Sequence, residues 1–348
     1  MRKILLTFVA AQALAFNAYA EVHKHQSSSS IDKSEVEDLA LPEDAPITSY
    51  FGTKDYYRSR KALINTVITT DPLMYPHTNP INVLSTVNTT LIFWGRSWKN
   101  SVFISDKIVG LNYLHNNFQT STYKDSFSEF TTLNHSLKGQ KIDSSTTASS
   151  NPNAVLSEVC RVIGSANIDP KGYYPVYSDI KRGTATYCAF HSAGTCGGKP
   201  VQFAFFFNLD EDPGCNPNSP YAPALGSPTS QQPGAVSGLA TPYQQSQGLA
   251  ALANVTAHEL AETVTDPAYF PRVGGPYWGG WYDATGAENG DKCAWTFGPS
   301  NTGASPGTVL IGTFDWKLQG EWSNNAHTSG FGGYPTQNGQ LTGCVTGS

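Results

Sequence analysis

Little in this chain is charged, and almost nothing in it is methionine. Asp, Glu, Lys and Arg together make up 14 % of 348 residues, and Met occurs twice. The net charge is −5 and no basic stripe is present, which removes the electrostatic footprint that nucleic acid requires. No C-x-x-C pair occurs, so the common zinc-thiolate spacing is missing. Beyond the N-terminus no apolar run is long enough to span a bilayer.

What is abundant is Gly (32), Pro (22), Tyr (17), Phe (17) and Trp (7), with many Ser, Thr and Asn. That mixture suits a rigid, loop-rich protein outside the cell. The N-terminus agrees. Arg2 and Lys3 precede an apolar run from Ile4 to Phe16, and Ala18-Tyr19-Ala20 is a small-x-small cleavage site. Residues 1–20 therefore read as a secretory signal peptide, and no Cys follows to carry a lipid. The expected location is extracellular, or periplasmic in a Gram-negative cell. No integral membrane segment is expected after cleavage. The six cysteines (Cys160, Cys188, Cys196, Cys215, Cys293 and Cys344) form an even set in an exported chain. They point to three disulfides of open connectivity, with a zinc-thiolate site as the alternative.

Residues 21–50 read as a flexible tail: two histidines, a serine run and an acid-rich stretch, with little to support a core. Residues 51–348 read as one domain whose regular structure begins near Ile81. Val87–Trp94 reads as a strand. Trp98–Phe118 reads as a helix, and Leu156, Val159, Cys160 and Ile163 as one side of a shorter helix stopped by Gly164. Tyr173–Tyr177, Thr186–Phe190 and Val201–Phe207 read as strands, the last buried on both faces. Residues 119–153 show little periodicity. Residues 212–247 form a long Pro, Gly and Ser loop that Cys215 can pin. A helix over about Ser246–Thr265 follows, then Gly- and Trp-rich sequence with short strands near Thr308–Trp316. The expected fold is α/β (α+β): a mixed sheet, a zincin-like motif helix and long disulfide-pinned loops.

The motif on that helix is Ala257-His258-Glu259-Leu260-Ala261-Glu262, or H-E-x-x-E. It differs from the H-E-x-x-H zinc-protease signature at one metal ligand. A helix sets His258 and Glu262 one turn apart on one face, roughly 6 Å along the axis, so both reach one divalent ion. Glu259 then stands where a metal-activated water needs a general base. Two ligands are too few for tight binding. Asp266 is roughly 12 Å along the helix from His258, too far to share the ion. Glu288 and Asp291 are the better third ligands. His191 and His327 are further candidates, His191 also as the group that orients a ligand or stabilises an oxyanion. Zinc is the first expectation. Carboxylates in place of imidazole weaken the Lewis acid and favour harder ions such as calcium or manganese.

Stretches in the same order over residues 75–345 resemble the EXORDIUM, or phosphate-induced protein 1, family of plants and its bacterial relatives. Tyr75-Pro76-His77 is similar to the family's Tyr-His-Gly-Gly, with Pro and Asn intruding. Leu91-Ile92-Phe93-Trp94-Gly95-Arg96 is similar to its strand ending in Trp-Tyr-Gly, and Tyr187-Cys188-Ala189-Phe190-His191 to its Cys-Gly-x-His. Thr256 to Pro267 matches its most specific motif. Trp281-Tyr282-Asp283 with Glu288, Asp291 and Cys293 resembles the segment that follows in bacterial relatives, and Glu321-Trp322-Ser323-Asn324 a late strand. The resemblance implies a secreted or cell-wall-associated protein without a settled reaction.

Two functions follow. One is a secreted, metal-dependent hydrolase-like protein acting on peptide bonds, with His258 and Glu262 plus Glu288 or Asp291 holding the ion and Glu259 polarising water. The other is a non-enzymatic extracellular or cell-wall-associated binding or signalling protein with a structural metal. For that role the aromatics of residues 277–282 are a candidate platform for a cell-wall component. A cleft beside Glu259 favours the first, and a fully ringed metal the second.

Overall fold

Strand Val201–Phe207 sits where its apolar sequence demands, inside a six-stranded mixed sheet. The computed structural model describes residues 48–53, 55–56, 73–77, 82–217, 245–269, 277–298, 308–330 and 342–347. The sheet contains β1 (Thr48–Gly52), β2 (Thr86–Trp94), β3 (Asn134–Asp143), β4 (Gly172–Lys181), β5 (Tyr187–Cys196) and β6 (Lys199–Asn208), in the order β1-β5-β6-β4-β2-β3. β3, β2, β4 and β6 run parallel. At one side β5 pairs antiparallel with β6, and β1 antiparallel with β5, so β1 again runs in the direction of the four.

Two elements depart from the sequence reading. β3 falls in the stretch without periodicity. It is an edge strand with a mostly exposed, polar sequence, so no buried face imposes alternation. The helix expected over Trp98–Phe118 is broken. A 3-10 turn at Arg96–Lys99 and a single turn at Ser101–Ile104 precede α1 (Lys107–Asn117). Ser105 at φ 47° ends the first turn, since a left-handed residue cannot continue a right-handed helix. Asp106 is thereby free to hold Ser246: its Oδ2 accepts from the Ser246 N–H at 2.7 Å and its Oδ1 from the Ser246 hydroxyl at 2.5 Å.

α2 (Pro152–Ile163) starts at Asn151, whose side chain accepts from the N–H groups of Asn153 and Ala154, and stops at Gly164 with φ 78°. α3 (Gln247–Thr265) carries the motif and starts at Ser246, whose hydroxyl caps Leu249 N–H. Every α3 residue from Gly248 to Thr265 is buried. The sequence suggested one apolar side, but α3 packs on β5 and β6, on α1, on the short helix α4 (Asn289–Lys292) and on a late hairpin. That hairpin is β7 (Thr308–Ile311) with β8 (Phe314–Lys317). Successive strand residues point to opposite faces. His191 of β5 faces α3, while Gly194 abuts Leu156 of α2, so the two helices lie on opposite sides of the sheet.

All six cysteines are paired: Cys160–Cys196, Cys188–Cys215 and Cys293–Cys344. The zinc-thiolate alternative is therefore set aside, and three disulfides fit an oxidising compartment. Among the described residues no helix is long and apolar enough to cross a membrane. The expected signal peptide, residues 21–47 of the expected tail, Ile81 and residues 218–244 of the long loop lie outside the described residues. β1 occupies the last residues assigned to the tail, so regular structure begins before Ile81.

Candidate metal centre

Three segments converge on the motif. β5 contributes His191, α3 contributes His258, Glu259 and Glu262, and α4 contributes Asp291 together with its N-cap residue Glu288. His191 Nδ1 lies 3.1 Å from Glu259 Oε2 and 3.6 Å from Glu262 Oε2, and its Nε2 lies 3.6 Å from Glu288 Oε1. His258 Nε2 lies 3.1 Å from Glu262 Oε2. The Asp291 N–H donates to Glu262 Oε1 at 3.0 Å. Two three-residue groups have donor atoms close enough together for one ion: His191, Glu259 and Glu262, and His258, Glu262 and Asp291. They share Glu262.

The setting is dry. His191, His258 and Glu259 are 0 % exposed, and Glu262 and Glu288 only 1 % and 3 %. Burial drives the carboxyls of Glu259 and Glu262 well above the usual range. Asp291 adds to the first shift, and Glu288, Asp291, Glu259 and Glu321 to the second. Burial also lowers His191 to about 3 and His258 well below its ordinary value, so both imidazoles are neutral. Neutral imidazoles among crowded carboxylates make a donor set suited to a divalent cation. His258 Nε2 and Glu259 Oε1 are buried without a hydrogen-bond partner. Buried polar atoms are rarely left so, and a cation held by His258, Glu262 and Asp291 would satisfy the imidazole nitrogen.

Sequence reasoning did not find the groups that hold this arrangement. The first is Gln319. Its Oε1 accepts from Trp295 N–H at 3.2 Å, and its Nε2 donates to Gly290 O at 2.9 Å and to His258 Nδ1 at 3.0 Å. With Nδ1 accepting, the neutral imidazole carries its proton on Nε2. Ligation through Nε2 moves that proton to Nδ1 and requires Gln319 to turn its oxygen inward. The second is Phe51, whose ring stacks on His258 with centroids 3.8 Å apart. No periodic or spacing signal marks either residue.

Asp266 lies outside both three-residue groups, as helix geometry requires. Its Oδ1 accepts from Gly280 N–H at 2.6 Å, and its carboxyl also bonds to Glu288. His327 is elsewhere, with Nδ1 3.0 Å from Thr342 Oγ1. Of the aromatic platform, Trp281 and Tyr282 are half-buried against Phe130 and His77, and the side chains of 277 and 278 lie outside the described residues. A cavity of about 720 Å³ is lined by Asp125, Glu129, Ser323, Asn325 and neighbours, and by none of the cluster residues.

Comparison with protein-family models, curated proteins and solved structures finds no match to this chain.

Proposed function

We propose that this protein is a secreted, metal-dependent hydrolase-like protein that acts on peptide bonds. The observation that carries the reading is the pair of buried imidazole–carboxylate groups meeting at Glu262, with His258 Nε2 and Glu259 Oε1 unsatisfied. His258, Glu262 and Asp291 would hold the ion, with Glu288 beside them. A zinc, calcium or manganese ion bound there would supply Lewis acidity toward water and a substrate carbonyl. Glu259 takes the proton at Oε1, the oxygen left open. His191 donates from Nδ1 to Oε2 and so orients the carboxylate. The secretory leader, the three disulfides and the resemblance to EXORDIUM-type proteins support an extracellular setting.

One observation favours the second reading, a structural metal in a non-enzymatic cell-wall-associated protein. His191, His258, Glu259, Glu262 and Glu288 are buried, only Asp291 of the six is partly exposed, and the cavity noted above is lined by none of them. Metal analysis of the mature protein with Glu262→Ala and Glu259→Gln separates the two. The enzyme reading expects about one ion per chain, loss of that ion in Glu262→Ala, and an inactive Glu259→Gln that keeps it. Native protein without stoichiometric metal ends both readings. Hydrolysis unchanged in Glu259→Gln ends the role of Glu259 as base.

A further inference from the structure

Strand β1 lies against the cluster: the Phe51 ring stacks on His258 and its backbone bonds the Glu259 carboxylate. We infer that the edge of β5 covered by β1 is a binding site for an extended peptide bearing an aromatic side chain, and that residues 48–52 fill it here as a substrate-like occupant. The inference rests on the metal-dependent reading for what would happen to such a peptide, but not for its binding.

β1 runs antiparallel along β5, pairing Ser49 with His191, Tyr50 with Phe190 and Phe51 with Ala189. An exposed strand edge is a row of unpaired N–H and C=O groups, and adding an extended peptide is the general way to satisfy it. The peptide on this edge is carried past the imidazole nearest Glu259. The Phe51 backbone also hydrogen-bonds the Glu259 carboxylate, so a main-chain amide lies against the residue assigned as base.

The side-chain pocket is equally specific. The Phe51 ring is fully buried between His258, at 3.8 Å, and Trp295, at 4.9 Å, and is nearly parallel to the indole. Trp295 has φ 57°, an uncommon backbone state for a bulky residue and one that persists only where surroundings enforce it. Its indole N–H donates to Gly52 O at 3.2 Å, and its backbone N–H donates to Gln319, which also holds His258. One strained residue thus grips the occupant's ring and main chain and connects both to the cluster. The pairing becomes irregular between Phe51 and Gly52, immediately after the ring is seated. Without β1 the sheet retains five strands.

The test uses the full mature chain with a site-specific protease sequence inserted between Tyr57 and Arg58 and cut after folding. A labelled peptide of residues 45–53 is then added. The cut chain should capture it, and the same peptide with Phe51→Ala should bind about thirtyfold more weakly. The uncut chain should capture neither. If the released fragment is slow to leave, uncut Phe51→Ala protein replaces the cut chain and should capture the wild-type peptide. No capture by either protein overturns the inference, as does equal capture of the two peptides. Metal content is measured in the same samples. Its absence ends the metal-dependent reading and leaves the peptide result standing.

Discussion

Gln319 donates to His258 Nδ1 at 3.0 Å, and the same amide bonds Trp295 N–H on one side and Gly290 O on the other. Gln319→Leu removes all three bonds and leaves buried partners unsatisfied. Stability should fall by about 3 kcal/mol or more. Urea denaturation measures this, and a loss under about 1 kcal/mol would show that the amide does not hold the imidazole.

Gly290 is where the loop after Glu288 passes against the motif helix. A Cβ there would lie 2.5 Å from His258 Nδ1 and 3.0 Å from Glu262 Oε1. Gly290→Ala should cost about 1–3 kcal/mol and reduce divalent-ion retention, because it pushes two ligands apart. Full retention of the ion by a stable Gly290→Ala protein would place the ion away from these side chains.

Away from the cluster, His135 sits in a buried chain of polar groups. Its Nε2 is 2.9 Å from Thr89 Oγ1 and 3.4 Å from His115 Nδ1, and His115 Nε2 is 3.2 Å from Tyr177 OH. Burial lowers His135 to about 4, and His115 is lowered as well. The unfolded chain takes up these protons below about pH 6.5, while the folded chain refuses the His135 proton until about pH 4. Stability is therefore complete above pH 6.5 and falls as the pH drops through that window, by about 3 kcal/mol for His135 alone. Denaturation midpoints at several pH values should show a shallower acid slope for His135→Gln. An unchanged slope would remove His135 as a source.

Cys293–Cys344 closes a span of 51 residues and ties the segment next to Asp291 to the C-terminal strand pair. Replacing both with Ala should destabilise the protein by about 4 kcal/mol if loop-closure entropy governs. The loss should exceed that from removing Cys188–Cys215, which spans 27 residues. The reverse order in thermal melts would indicate that native strain, not loop length, decides.

The strands at Val87–Trp94 and Val201–Phe207 were legible because β-branched and aromatic runs have few other uses, and α2 because its apolar side repeats with the helical turn. β3 was not, since an edge strand needs no apolar face. The break at Ser105 was not, because Asp106 serves a helix cap 140 residues away. In the candidate centre, His258, Glu259 and Glu262 were legible because one helical turn brings them together. Glu288, Asp291 and His191 were nameable from residue type, but not their mutual positions.

By itself, then, the sequence determined the helix that carries the motif, the ligand chemistry available near it and an even set of cysteines suited to an oxidising compartment. These are local or compositional properties, set by periodicity, side-chain type and count. Only the tertiary structure decided which distant groups meet that helix. It seated Gln319 on His258, brought His191 within 3.1 Å of Glu259, and laid Phe51, from ahead of the point where regular structure was expected to begin, over the imidazole. Those contacts depend on strand order and register, and no spacing along the chain encodes them.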